Sequence, residues 1–457
     1  MNSFSDFSKK LHKFDKFLRL FLITIDKQKS FCYNKIKEIT MLIQRDDYIK
    51  RLDAFRDQDL IKIVTGLRRS GKSTLFNLYI DHLKKDGIKA SSILYINFED
   101  PNFIFNDSKE LYDYVIQHTK SSTAKHYLFF DEIQTVPDFQ KAINGLRLNP
   151  NFDIYITGSN AYLLSGELAT LLSGRYIEIH MLPLSFKEYL TGLYPEINNI
   201  EVLKRKINLQ QVFLDYLNYG GLPQTLSYYE NKDDIAIPNV TNIRDYLENI
   251  FSTVVYKDIM LRHNVTDKAL LERIVKFVLD NIGQPISVKK IVDTLNANQA
   301  KTSFYTVENY LTALQECFLI YKVDRYDVRG RELLSTGFKY YVADLGLRNY
   351  LLGRNAKQDI GQMIENIVYL ELARRRFSVQ IGKYDNLEVD FIAHGADDTE
   401  YIQVSADVSD SKTMARELEP LSSIRDNYPK RILSLGQSSE KDVDGVRVRD
   451  LMGWLLD

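Results

Sequence analysis

The stretch Gly66-Leu67-Arg68-Arg69-Ser70-Gly71-Lys72-Ser73-Thr74 follows a short apolar run at 61–65 and precedes a helical pattern at 75–84. Its form is G-x4-G-K-S, in which glycines let backbone N–H groups surround phosphates and the next helix directs its positive end towards them. The whole stretch is therefore predicted to be a phosphate-binding loop. We expect Lys72 to contact the β- and γ-phosphates and the Ser73 hydroxyl to bind Mg²⁺. The alternative is a plain glycine turn between a strand and a helix.

Composition is that of an ordinary globular protein. The 457 residues exceed what one hydrophobic core usually serves, so several domains are expected. Lys and Arg total 60 against 61 for Asp and Glu, so no chain-wide positive charge indicates nucleic-acid binding. The two cysteines, Cys32 and Cys317, form no C-x-x-C pair, which argues against a disulfide framework and favours a cytoplasmic location.

The first 40 residues are rich in lysine and carry one apolar patch, 17–25. Arg19 interrupts this patch, which is shorter than the roughly 20 residues that a membrane-spanning helix needs, so no membrane partner is expected. A cleaner pattern begins at Met41. We therefore predict that residues 1–40 are a poorly ordered extension and that the folded domain begins near Met41.

Short apolar runs alternate with helical patterns from residue 61 to about residue 180. Runs of this length are typical of strands buried on both faces, and the helices between them favour a parallel sheet. The sequence predicts a doubly wound α/β domain over residues 41–184, with its ligand at the carboxyl ends of the strands. The predicted strands are 61–65, 93–97, 127–130, 154–157 and 176–180.

Two acids, Asp131 and Glu132, follow the third predicted strand directly. At the mouth of a buried strand, the first carboxylate can hold Mg²⁺ and the second can polarise a water molecule. Because they come about 60 residues after the phosphate-binding loop, we predict Asp131 as a metal ligand and Glu132 as a catalytic residue. An acidic helix cap is the alternative.

Three further polar residues are candidates for contact with the transferring phosphate. Ser159 and Asn160 follow the fourth predicted strand and are expected to lie beside the γ-phosphate, unless they form only a turn with a helix cap. Arg175 lies in a glycine turn before the fifth strand. It is expected either to stabilise phosphoryl charge, in its own subunit or a neighbour's, or to form a surface salt bridge.

Together these motifs resemble the AAA-type P-loop ATPases of bacteria and archaea that carry a C-terminal restriction-endonuclease-like domain of unknown function. The resemblance covers nearly everything from Met41 onward and implies a protein that binds and hydrolyses ATP with Mg²⁺. Besides the phosphate-binding loop, it rests on F-F-D-E-I-Q (129–134), T-G-S-N (157–160), S-G-R-Y (173–176), L-P-L-S-F (182–186), Y-G-G-L-P (219–223), Y-K-D-I (256–259) and V-A-D-L-G-L-R (342–348).

Beyond the sheet domain, residues 185–265 show a helical pattern without strand-like alternation, and we expect them to form a lid beside the nucleotide. Residues 266–330 predict three short helices and a β-hairpin, which resembles a winged helix with its recognition helix at 302–314. Two partners stay open for it, double-stranded DNA or a protein, since acids at 308, 316, 324 and 327 dilute its positive charge. The basic residues are Lys289, Lys290, Lys301, Arg325, Arg329 and Arg331.

The last predicted domain, 331–457, resembles a nuclease-like α/β fold in which a helix Glu, a strand Asp and a following Glu-x-Lys hold Mg²⁺. Glu365 and Asp390 match this pattern. Gln403 replaces the second acid and Ser405 replaces the lysine, which weakens metal binding and leaves nothing to activate the nucleophile. The sequence therefore predicts a degenerate domain without nuclease activity.

The predicted function is a Mg²⁺-dependent ATPase that couples hydrolysis to action on DNA or on a protein partner. The alternative is a nucleotide-dependent switch or DNA-binding scaffold that hydrolyses little. An intact Glu132 favours hydrolysis, because a protein that only binds nucleotide has less need of it. Whether the chain forms homo-oligomers is left open.

Overall fold

The computed structural model describes residues 43–119, 124–158, 172, 174–195, 197, 199–232, 235–260, 263, 265–396, 398–436 and 440–457. The extension predicted at 1–40 lies outside the described residues, as do Ser159 and Asn160. Within the ranges just given, no helix combines the length and the apolar character needed to cross a membrane.

The N-terminal part is a parallel five-stranded sheet in the order β2-β3-β4-β1-β5, which confirms the predicted α/β core. Strand β1 is an interior strand and is buried along its whole length, including Lys62, which forms a buried ion pair with Asp153. The elements are α1 (Asp46–Ala54), β1 (Ile61–Thr65), α2 (Lys72–Lys85), β2 (Ile93–Asn97), α3 (Ser108–His118), β3 (His126–Asp131), α4 (Phe139–Arg147), β4 (Phe152–Thr157) and β5 (Tyr176–His180).

Helices cover both faces of this sheet, so that each face has its own apolar core. Leu75, Phe76 and Tyr79 of α2 pack against Phe129 and Tyr155 on one face. The opposite face packs against α3 and α4 and contributes Ile63, Leu128 and Ile156 among others. Burial on both faces holds the strand ends, and the loops that follow them, in fixed positions.

The segment expected to be an all-helical lid contains a hairpin, which corrects that expectation. Burial alternates along the second strand of this hairpin, where Ala236 is buried between the exposed Ile235 and Ile237. All three residues are apolar, so the sequence shows no alternation and the run was interpreted as part of a helix. The elements are α5 (Phe186–Leu193), α6 (Ile200–Lys206), α7 (Leu209–Tyr219), β6 (Tyr229–Lys232), β7 (Ile235–Pro238), α8 (Val240–Thr253) and a π-helical turn (Val254–Met260).

Three helices follow the lid, and then a long hairpin begins the second large sheet. The helices are α9 (Lys268–Asp280), α10 (Val288–Ala297) and α11 (Phe304–Glu316), and the hairpin is β8 (Ile320–Asp327) with β9 (Glu332–Val342). An isolated bridge joins Ile286, before α10, to Phe338 of β9. The domain division predicted at 330/331 falls within the turn of this hairpin, whose two strands lie in the same sheet as the C-terminal strands.

That sheet has eight strands in the order β14-β15-β13-β12-β11-β10-β8-β9 and mixes parallel with antiparallel pairs. Its apolar core is continuous with that of the lid and of α9 to α11, so these parts share one buried interior. The remaining elements are α12 (Leu345–Leu352), α13 (Ile360–Arg374), β10 (Ser378–Tyr384), β11 (Leu387–His394), β12 (Thr399–Ser405), α14 (Ser411–Ser423), β13 (Lys430–Ser434), β14 (Lys441–Val443), β15 (Val446–Asp450) and α15 (Leu451–Leu456).

Asp344 joins the lid to the C-terminal part. It is the N-cap residue of α12, and its carboxylate accepts hydrogen bonds from the N–H groups of Gly221 at 2.7 Å and Leu347 at 3.0 Å. A Cβ at Gly220 would collide with this carboxylate, and the positive φ of +76° at Gly220 also favours glycine. The Asp344 carboxylate can therefore occupy this position only because residue 220 of the Y-G-G-L-P segment is a glycine.

Replacing Asp344 with Ala should lower the free energy of unfolding by at least about 2 kcal/mol, because two buried N–H donors lose their acceptor. Urea unfolding of the full chain measures this loss. Asp410→Ala is the matched control, since Asp410 caps α14 at an exposed position and its loss should cost only about 1 kcal/mol. Equal losses in the two variants would contradict the role given to Asp344.

Candidate functional site

The phosphate-binding loop lies between the end of β1 and the start of α2, as predicted. Gly66 adopts a φ of +139°, and a Cβ there would collide with the carbonyl oxygen of Met181. Gly71 adopts a φ of +102° immediately before the first residue of α2, Lys72. Only glycine fits both positions, and the first turn of α2 therefore presents its N–H groups to the loop.

Lys72 is buried beneath this loop, with an exposed fraction of 5%. Its Nζ donates to the carbonyl oxygens of Gly66 at 3.0 Å and Leu67 at 3.2 Å. Burial lowers the pKa of Lys72, while the carboxylates of Glu132 and Asp131 act in the opposite direction. Both acids therefore lie close enough for their charge to act on this ammonium group.

Asp131 and Glu132 are held at the end of β3 by the neighbouring strand. The Thr157 hydroxyl, at the end of β4, donates to Asp131 Oδ1 at 2.5 Å and accepts from the Glu132 N–H at 2.9 Å. Tyr95 donates to the second oxygen of Asp131 at 3.0 Å. Glu132 has a φ of +56°, which turns the chain sharply where the strand ends. Sequence reasoning missed Thr157, although it is the last residue of a predicted strand.

A cleft of about 150 Å³ lies above the loop and is bounded on one side by the lid. Asp131 does not line it, since Asp131 is 1% exposed and lies deeper in the sheet. Leu67 and Ser70 are likewise buried in the loop. The lid residues were not predicted as site residues. The cleft is lined by Arg68, Arg69, Gly71, Lys72, Ser73, Thr74, Glu99, Glu132, Pro223, Gln224 and Tyr246.

Arg68 lies between two acids, with its guanidinium 3.5 Å from Glu99 and 3.8 Å from Asp258. The Asp258 side chain is only 2% exposed and belongs to the π-helical turn 254–260. Such turns are rare and occur often at functional sites. The Y-K-D-I motif at 256–259 marked this segment in the sequence without indicating that its acid reaches the phosphate-binding loop.

Arg175 cannot reach the phosphate-binding loop of its own chain, which corrects the first of its expected roles. Its carbonyl oxygen accepts from the N–H of Ile61, the first residue of β1, whereas the loop follows the last. The two sites are separated by the five residues of β1, or about 16 Å. The Arg175 guanidinium contacts the Asn144 side chain at 3.5 Å. A role across a subunit interface stays a prediction.

The C-terminal part gathers a second charged cluster that includes Glu365 and Asp390. Lys339 of β9 lies among these acids, with Nζ 3.0 Å from Glu365, 2.9 Å from Glu388 and 4.0 Å from Asp390. Its side chain is 2% exposed. The sequence placed Ser405 where a lysine was expected, but a lysine reaches the cluster from a different strand. The sequence does contain a signal for this buried lysine, since Lys339 interrupts the apolar run 338–343.

Gln403 faces the backbone of β11, because its Oε1 accepts from the N–H of Asp390 at 3.0 Å. Asp390 in turn accepts from the N–H of Val404 at 2.9 Å. Burial, and then the charge of Glu365, raise the pKa of Asp390 to about 8. The Lys339 ammonium supplies the positive charge at the centre of the cluster, and the side-chain oxygen of Gln403 is already used for a backbone contact.

Replacing Lys339 with Met should destabilise the fold by about 3–5 kcal/mol at pH 8, because three carboxylates lose their shared cation. Without it the folded-state pKa of Asp390, which burial and Glu365 already raise to about 8, rises further above that of the unfolded chain, so the free energy of unfolding should fall as pH rises from 5 to 8. Urea unfolding at both pH values measures this. Lys383→Met, which breaks a partly exposed pair with Asp327 at the surface, should cost less than about 1 kcal/mol. A pH-independent loss in Lys339→Met would refute this account.

The sheet domain and the region after it each match a described sequence family. Residues 58–190 match the family described as an AAA domain, and residues 210–358 match one described as a domain of unknown function, DUF8612. The Walker-type ATPase PABY2304 of Pyrococcus abyssi is a structural neighbour with a TM-score of 0.47 and 14% identity. That match covers 68% of this chain and 95% of the other, but it is too distant to indicate a function.

Two sequence relatives span most of the chain. An uncharacterized protein of Haemophilus influenzae is 39% identical over 416 residues, which cover 91% of this chain and 99% of the relative. The uncharacterized protein MJ1544 of Methanocaldococcus jannaschii is 33% identical over 395 residues, which cover 82% of this chain and 80% of the relative. This chain therefore belongs to the same family as these two proteins, and its N-terminal sheet domain is a P-loop domain of the AAA class.

Proposed function

We propose that this chain binds ATP together with Mg²⁺ at the phosphate-binding loop and hydrolyses the bond to the γ-phosphate. The observation that carries the proposal is the cleft that Lys72, Ser73 and Glu132 line together at the carboxyl edge of the five-stranded sheet. A cation for the phosphates, a hydroxyl for a metal ion and a carboxylate for water are the groups that phosphoryl transfer to water requires.

Each residue has a distinct role in this proposal. The Lys72 ammonium exchanges its loop carbonyl partners for phosphate oxygens. Glu132 orients the attacking water and accepts its proton. The Ser73 hydroxyl would hold Mg²⁺ in the cleft, and the deeper Asp131 carboxylate would hold it through one of the waters that this ion keeps. Asp131 is fixed for that task by the hydroxyls of Tyr95 and Thr157. When bound, Mg²⁺ would neutralise phosphate charge.

A nucleotide switch with slow hydrolysis is the second candidate, and one contact favours it. The Gln134 side chain donates to Glu132 Oε2 at 2.5 Å, so the proposed base already has a partner. Turnover therefore requires Glu132 to exchange this donor for water.

For the C-terminal half, we assign a winged helix to α9, α10, α11 and the β8–β9 hairpin, and an inactive nuclease-like fold to the rest. The winged-helix assignment is supported by the order of the elements and by the bridge from Ile286 to Phe338. The partner is double-stranded DNA or a protein. Lys301, Phe304 and Tyr305 are exposed around the start of α11, where a helix attracts phosphates, whereas the exposed Glu308 opposes DNA.

Replacing Lys72 with Ala should abolish ATP binding or weaken it at least about 100-fold, because the buried cation for the phosphates is lost. Glu132→Gln should keep ATP affinity and lower the hydrolysis rate by about 100-fold or more. Calorimetric titration and phosphate release measure the two effects. Lys84→Ala, on the exposed face of α2, and Glu272→Gln, on α9, are matched controls that should leave both unchanged. Unchanged ATP affinity in Lys72→Ala would remove the basis of the proposal.

If DNA is the partner, double-stranded DNA should raise ATP hydrolysis and bind with a salt-dependent affinity. Lys301→Ala should weaken binding and reduce the slope of log affinity against log salt by about one unit. Lys357→Ala, outside α9 to α11, is the control. Hydrolysis that ignores DNA at low salt would exclude DNA as the partner and favour a protein, which the Glu132→Gln variant with bound ATP should capture.

A further inference from the structure

Helix α8 places one tyrosine at the edge of the nucleotide cleft. The helix packs into the lid through Ile243, Leu247 and Ile250, and Tyr246 lies beside this apolar face. Tyr246 lines the cleft together with the lid residues Pro223 and Gln224 and with the phosphate-binding loop.

The Tyr246 hydroxyl is buried and makes no hydrogen bond within the described residues. A buried hydroxyl without a partner is costly and calls for an explanation at each place where it occurs. Burial raises the pKa of Tyr246, and the nearby Arg69 guanidinium of the phosphate-binding loop opposes this shift. The hydroxyl therefore keeps its proton at neutral pH and can act as a donor.

Two neighbouring features indicate what this donor meets. The first is Arg69, which belongs to the phosphate-binding loop and has a φ of +66° there. Its guanidinium charge acts on Tyr246, so Tyr246 lies near the phosphate end of the site. The π-helical turn that continues α8 brings Asp258 to within 3.8 Å of Arg68 in the same loop. The segment 240–260 thus approaches two adjacent loop residues from the lid side.

We propose that Tyr246 donates its hydroxyl hydrogen to a phosphate oxygen of a nucleoside triphosphate bound at the phosphate-binding loop. The inference rests on the proposed function and adds a ligand-binding residue to it. Because Tyr246 belongs to the lid, this hydrogen bond ties α8 to the phosphate chain. The lid then responds to the phosphates rather than to the base.

Calorimetric titration of the full chain with MgATP and with Mg-tripolyphosphate, which has no nucleoside, tests the inference. Tyr246→Phe should weaken both ligands about tenfold or more, since a hydrogen bond to a charged group is lost. Tyr228→Phe is the matched control, because its ring lies 5.8 Å from that of Tyr246 without lining the cleft. It should bind both ligands as the unmodified protein does.

A thermal melt separates this role from a structural one. Without ligand, Tyr246→Phe should melt at the same temperature as the unmodified protein or higher, because the hydroxyl it removes has no partner. The rise in melting temperature caused by MgATP should be smaller in this variant. Equal affinities in Tyr246→Phe and the unmodified protein would overturn the inference, and so would a loss confined to ATP, since that places the contact on the nucleoside. An unmodified protein that binds neither ligand would refute the proposed function itself.

Discussion

The parallel pairing of β1, β4 and β3 is the constraint on which the site depends. Because these strands run side by side in one direction, the phosphate-binding loop after β1, Thr157 at the end of β4 and the acids at the end of β3 meet at one edge of the sheet. Thr157 then fixes both acids through two hydrogen bonds. Close packing on the two faces of the sheet keeps this edge rigid, so the proposed hydrolysis would take place on fixed strands.

The lid and the C-terminal part form one packed body, since a single apolar core runs through both. The five-stranded sheet meets this body through polar contacts such as His180 with Tyr321 at 2.8 Å and Arg374 with the carbonyl oxygen of Pro183 at 2.9 Å. The nucleotide cleft lies across this boundary, because both the phosphate-binding loop and the lid line it. A ligand bound there can change the position of the lid relative to the sheet.

Sequence reasoning succeeded where local pattern decides structure. The strands of the first sheet, the loop at Gly66 to Thr74 and the acids at Asp131 and Glu132 follow from apolar runs and strand order. It failed where distant segments meet. Lys339 stands out locally as a lysine within an apolar run, but its partners Glu365 and Asp390 are set by strand pairing. Tyr246 reaches the nucleotide cleft through packing of the lid and has no local signature. The expected contact of Arg175 with the phosphate-binding loop of its own chain was wrong, because Arg175 precedes β5 and the loop follows β1, which places them at opposite ends of parallel strands.

The β8–β9 hairpin has a mechanical consequence. It follows directly on α11, and it also forms one edge of the eight-stranded sheet through the pairing of β8 with β10. Backbone hydrogen bonds along a sheet resist stretching and bending, so α9 to α11 and the eight-stranded sheet should move as one rigid unit. A rotation of α9 to α11 would therefore displace the whole sheet, as far as β14 at the edge opposite to the hairpin.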